Sequence, residues 1–136
     1  MVSFRSMVLA GAVLLPIAAN AASDDDICRL YADLGIAGLM YLSELSPEQL
    51  VTLMEGKDPR AAQAMGAYLE QSIDPSGAKA LANADIDFKA LGTAASNAAF
   101  LLVIGGEAES LEQASDIMLA TCLKVGPRKI AANGGR

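Results

Sequence analysis

Apolar residues recur at helical spacing from the first charged cluster onward. Ile27, Tyr31, Leu34, Gly38, Tyr41 and Leu45 follow one another at alternating four- and three-residue steps, which places them on one helical stripe. Cys28, Ala32, Gly35 and Leu39 form a second apolar line beside it, and only Arg29, Asp33, Ser43 and Glu44 are strongly polar. A helix apolar over most of its circumference is buried on several sides. Residues 90–106 run 17 positions without a charge, between Lys89 and Glu107, with Thr93, Ser96 and Asn97 as the polar members. That length lies at the lower edge of a membrane span, and the pattern predicts a central buried helix instead. Leu111, Ala114, Ile117, Met118, Thr121, Cys122 and Val125 again keep helical spacing. Strict apolar–polar alternation with β-branched clusters, the mark of a half-buried strand, is missing.

Helix punctuation supports this reading. Ser46-Pro47, Asp58-Pro59 and Asp74-Pro75 each pair an N-cap residue with proline at the first helical position, where its missing N–H has no intrahelical acceptor to lose. Gln49, three residues after Ser46, completes a capping box, and Ser110 with Gln113 spells a second. Gly56 and Gly126 are placed as C-terminal stops, and Pro127 bars continuation of the last helix. The expected helices cover about residues 24–44, 47–55, 59–72, 75–83, 87–104 and 111–125. The fold class is therefore all-α, a compact bundle of five or six short helices. Gly35 and Gly38 on the first helix, with Ala94, Ala95, Ala98 and Ala99 on the long apolar one, allow close backbone approach, so these two helices are expected to pack together at the centre.

The N-terminus has a different organisation. Arg5 precedes an apolar run over residues 7–18, and Ala19-Asn20-Ala21 is an A-x-A cleavage site. Residues 1–21 thus read as a secretory signal peptide, with no stable membrane span left after cleavage, residues 22–126 as the helical domain and residues 127–136 as a flexible basic tail. A periplasmic or secreted location follows. The two cysteines, Cys28 and Cys122, are then expected to form one disulfide joining the first helix to the last, because export makes oxidation the default.

Composition narrows the chemistry. The 136-residue chain has 16 acidic and 10 basic residues, a net charge of −6, so it lacks the basic footprint needed for nucleic acid. It has no histidine, which removes the commonest general base and metal ligand together with every Ser-His or Cys-His dyad. Two isolated cysteines give no zinc spacing. Asp85-x-Asp87 fails as a calcium loop, since Lys89 occupies the next ligand position and Ala90 stands where the turn glycine belongs; helix capping by Asp87 explains it instead. Asp24-Asp25-Asp26 complements a helix dipole. No G-x-S-x-G and no Gly-rich phosphate loop occurs. No catalytic, cofactor-binding or metal-ligating residue is expected, and the chain reads as a non-enzyme.

The leading expectation is an exported domain that binds another protein, most concretely a periplasmic inhibitor or immunity protein against a secreted toxin. An acidic surface suits a basic partner, and a second copy of the chain is a further candidate. The alternative is a carrier of a small apolar ligand, with Met40, Met54, Met65 and Met118 as flexible pocket lining. A third is a periplasmic stress chaperone. Leu45-Ser46-Pro47-Glu48-Gln49 is similar to the L-T-x-x-Q signature of Spy-type periplasmic chaperones, with serine for threonine and one copy where that family has two; the capping box accounts for the same residues physically.

Overall fold

The structure, a computed structural model, describes residues 23–133; the leader expected at residues 1–21 and the last three residues lie outside them. Among the described residues seven helices follow one another: α1 Asp24–Ser43, α2 Pro47–Glu55, α3 Pro59–Ser72, α4 Pro75–Asn83, α5 Phe88–Ile104, α6 Leu111–Val125 and α7 Pro127–Asn133. No strand occurs among the described residues.

Local chemistry sets the boundaries. Ser46 Oγ accepts from the Gln49 amide at 3.2 Å while Gln49 Oε1 accepts from the Ser46 amide at 2.9 Å, closing the capping box of α2. Gly56 ends α2 with φ +69°, in the left-handed region that favours glycine. The second expected box is shifted by one residue. Ser110 Oγ accepts from the Gln113 amide, but Gln113 Oε1 reaches back to the amide of Glu109. Asp58 and Asp74 cap α3 and α4. The Arg60 amide and guanidinium hold the Asp58 carboxyl below the usual carboxylate range, and the Ser76 hydroxyl and Gly77 amide do the same for Asp74. A depressed folded-state pKa stabilises above the unfolded value, so both caps weaken as pH falls through it.

A seventh helix over Pro127–Asn133, within the residues read as a tail, corrects the helix count from five or six to seven among the described residues. Pro127 ends α6 as expected but simultaneously starts α7, because proline fits the first helical position. Gly126, at φ +102°, turns the chain between them, and its carbonyl accepts from the Ile130 amide at 3.1 Å. Ile130 and Ala131 then pack on the core, and the Arg128 guanidinium donates to the Ala84 carbonyl at 3.1 and 3.2 Å. Sequence-local signals registered the stop and not the apolar contact that makes a new helix worthwhile.

Helix α1 is the centre of the fold. It packs against α5 on one side and α6 on another, with α3, α4 and α7 filling in around it. Ile27, Cys28, Tyr31, Ala32, Leu34, Gly35 and Gly38 are all buried, so both predicted stripes are used. The expected glycine–alanine contact is present. A Cβ added at Gly38 would fall 2.5 Å from Ser96 Oγ, and one at Gly35 would fall 3.2 Å from the Ala95 carbonyl oxygen. Ala95 and Ala99 are fully buried. Cys28 and Cys122 are disulfide-bonded, with their Cα atoms 5.5 Å apart, and the bond ties α1 to α6.

One polar group interrupts the centre. Ser96 is 5% exposed, and its hydroxyl has no hydrogen-bond partner. A buried unsatisfied hydroxyl costs about 1 to 3 kcal/mol, and alanine is the better helix former. Ser96→Ala is therefore expected to raise stability by about 1 kcal/mol. Thermal melting of the variant checks this, and a lowered Tm would show that the hydroxyl has a partner in solution.

Candidate ligand groove between the second, third and fifth helices

Helix α5 carries two faces. Leu91, Ala95 and Ala99 point into the core. Lys89, Gly92, Thr93, Ser96, Asn97 and Phe100, three to four residues apart in successive turns, line an adjoining hollow, with Gly92 and Ser96 buried at its floor. Across from them stands α3, which contributes a broad face that includes Pro59, Ala62, Gln63, Met65, Gly66, Ala67, Leu69 and Glu70. Leu42 closes the end nearest α1, and Leu53 and Met54 of α2 form a lip. The groove is open along one side and has a volume of about 690 Å³. That lies within the range of about 300 to 1,000 Å³ found for small-molecule sites.

The hollow exists because of side-chain size. Ala62, Gly66 and Ala67 are too short to span the space to α5, and a Cβ added at Gly66 would meet nothing within 4 Å. Only nearer the core does the gap close, where a Cβ added at Gly92 would lie 3.3 Å from Leu69 Cδ1. Helix α2 covers the groove loosely. It packs mainly on α3 and has no buried residue, and Met54 remains 61% exposed. An amphipathic helix with so little of its apolar face covered is a low-stability element by its contact density.

The groove is apolar along most of its length and polar in places that could orient a ligand. Gln63 and Asn97 provide amide groups from opposite walls, and Thr93 a hydroxyl. Its charged residues are Glu70 and Lys89, both at the same end. A second, more open hollow of about 540 Å³ adjoins this end, bounded by α4 and sharing Glu70 and Phe88 with the groove.

Of the methionines expected to line a pocket, Met54 and Met65 do so. Met118 is instead core filler at 1% exposure, lying against Gly35, and Met40 is exposed. Asp87 caps α5 by accepting from the Ala90 amide at 2.9 Å, and Asp25 pairs with Arg29 at 2.8 Å in the first turns of α1. Among the described residues no group of three or more Asp, Glu, Cys or His side chains could hold a metal ion, and no single helix is long and apolar enough to cross a membrane. The groove itself was not read from the sequence. Its traces there are the small residues Ala61, Ala62, Ala64, Gly66 and Ala67 beside an α2 with no obvious packing partner. Compared with family models, curated proteins and solved structures, the chain matches none of them.

Proposed function

We propose that this protein is an exported, non-enzymatic binding protein that holds a small, largely apolar ligand in the groove between α2, α3 and α5. The observation that carries this reading is the groove itself, about 690 Å³ of space walled by Leu42, Leu53, Met65, Leu69 and Phe100. Burying a ligand's apolar surface there releases about 25 cal/mol per Å². The disulfide accords with an oxidising compartment, in keeping with the leader read at residues 1–21. The cavity thus favours the carrier over the protein-inhibitor role that the acidic charge alone suggested.

Gly66→Phe supplies the test. The added ring enters open space, so the fold tolerates it, and replacing a mid-helix glycine removes a destabilisation of about 0.5 to 1 kcal/mol. Wild type is expected to bind a neutral environment-sensitive dye such as N-phenylnaphthylamine saturably and one to one. The variant is expected to lose that binding with an unchanged or raised Tm. Equal dye binding by both proteins would place the ligand elsewhere.

A protein partner is the second reading, favoured by the exposed apolar side chains on the helices that frame the groove. Val51 is 54% exposed on α2, and Leu101 and Ile104 are 62% and 61% exposed at the end of α5. Apolar exposure rimmed by polar residues marks interaction surfaces. Failure of every small apolar probe to bind would leave this reading, with the inhibitor or immunity role as its concrete form.

A further inference from the structure

Resting on the groove-binding reading, we infer that the ligand is a single-chain amphiphile with a zwitterionic head, its charged head seated between Glu70 and Lys89 and its chain running toward Phe100. Glu70 and Lys89 line the same end of the groove, one from each wall. Neither belongs to an ion pair among the described residues, including with the other. Several other charges on or beside these helices have partners. Lys57 pairs with Glu55 and Arg60 with Asp58, each at 3.4 Å, while Asp74 and Asp87 accept from their own helix amides.

Their helix positions sharpen the point. Glu70 stands in the last turn of α3, where the backbone carbonyls already concentrate negative charge, and Lys89 in the first turn of α5, where the amides concentrate positive charge. Each charge therefore opposes the dipole of its own helix. Two charges of opposite sign, each placed against its helix and lining one groove from different walls, are local concessions of stability that a ligand bearing both signs would offset. The cation of the head would meet Glu70 and its anion Lys89. A purely anionic head gains Lys89 but confronts Glu70, a purely cationic one the reverse, and a neutral head gains neither. From Lys89 to Phe100 the α5 wall advances about 16 Å, three turns of uncharged lining for the chain.

The test compares dodecylphosphocholine, laurate, dodecyltrimethylammonium and dodecyl maltoside, each below its micelle concentration, by displacement of the neutral dye. The phosphocholine is expected to bind tightest. Glu70→Gln and Lys89→Gln should each weaken it about threefold to tenfold while leaving the maltoside unchanged. Each variant should also keep or raise Tm, because each removes a charge that opposes a helix dipole. Equal affinity for phosphocholine and maltoside, or indifference to both variants, would overturn the head-group assignment and leave the groove as an apolar site. Preference for laurate, sensitive to Lys89→Gln alone, would replace the zwitterion by an anion. Absence of binding by any of the four, and by the dye, would overturn the groove-binding reading beneath it.

Discussion

The double substitution Cys28→Ala, Cys122→Ala is expected to lower the free energy of unfolding by about 3 to 5 kcal/mol. The bond joins residues 94 apart in sequence, nearly the whole helical domain. In the chain-entropy model a closed loop of that size is worth about 4 to 5 kcal/mol, acting through the unfolded state. Both cysteines are completely buried at the contact of α1 with α6, so replacing them also removes packed sulfur from the core and leaves a small void. Since native domains are stable by only about 5 to 15 kcal/mol, this is a large fraction of the whole. Urea unfolding of the double variant beside the oxidised wild type measures it. A loss below about 1 kcal/mol would mean that packing of α1 on α5 and α6 alone holds the domain together. The native protein should also show no thiol to a labelling reagent before reduction, because both cysteines are bonded.

Gly38→Leu is expected to destabilise by about 1 to 3 kcal/mol despite a helix-propensity gain of under about 1 kcal/mol. Even a methyl group at this position meets Ser96 Cβ at 3.0 Å and Ser96 Cα at 3.3 Å, besides the hydroxyl at 2.5 Å. The obstructing atoms belong to the backbone and root of a buried helix, so relief requires α1 and α5 to move apart. Gly35 differs in kind. Its nearest obstruction is the flexible end of the Met118 side chain, which can rotate away, although the Ala95 carbonyl oxygen at 3.2 Å remains. The two sites therefore grade the contact, with Gly35→Ala expected to cost less than Gly38→Ala. Pairing Gly38→Ala with Ser96→Ala should recover part of the loss, since the second change removes the nearest atom. Thermal or urea unfolding of the four proteins closes the cycle. A raised Tm for Gly38→Leu would contradict the close packing of α1 on α5.

The local sequence determined the helices. Proline after Ser46, Asp58 and Asp74, the Ser46–Gln49 box and Gly56 are short-range devices whose hydrogen bonds lie within four residues, so their outcome is written into consecutive letters. The apolar circumference of α1 likewise announced a helix enclosed on several sides, and the leader read at residues 1–21 gave the reason to expect Cys28 and Cys122 to pair. Where the sequence misled, at Pro127, the same letter serves as a stop and as a start. The choice between them was made by Ile130 and Ala131 finding the core and by Arg128 reaching Ala84, contacts distant along the chain. The groove belongs to this second category. In the sequence Ala62 and Gly66 are small residues with nothing beside them to show whether they sit against a neighbour, as Gly38 does, or over open space. Whether a small side chain permits contact or leaves space depends on how far away the opposing helix lies. At Gly38 the α5 backbone is close enough to exclude a methyl group, and at Gly66 nothing stands within 4 Å. That distance is set by how each helix seats on its neighbours, α1 directly on α5 and α3 on α1 with only slight contact to α5. So too is the placement of Glu70 and Lys89 in the lining of one groove, which no spacing along the chain could have foretold.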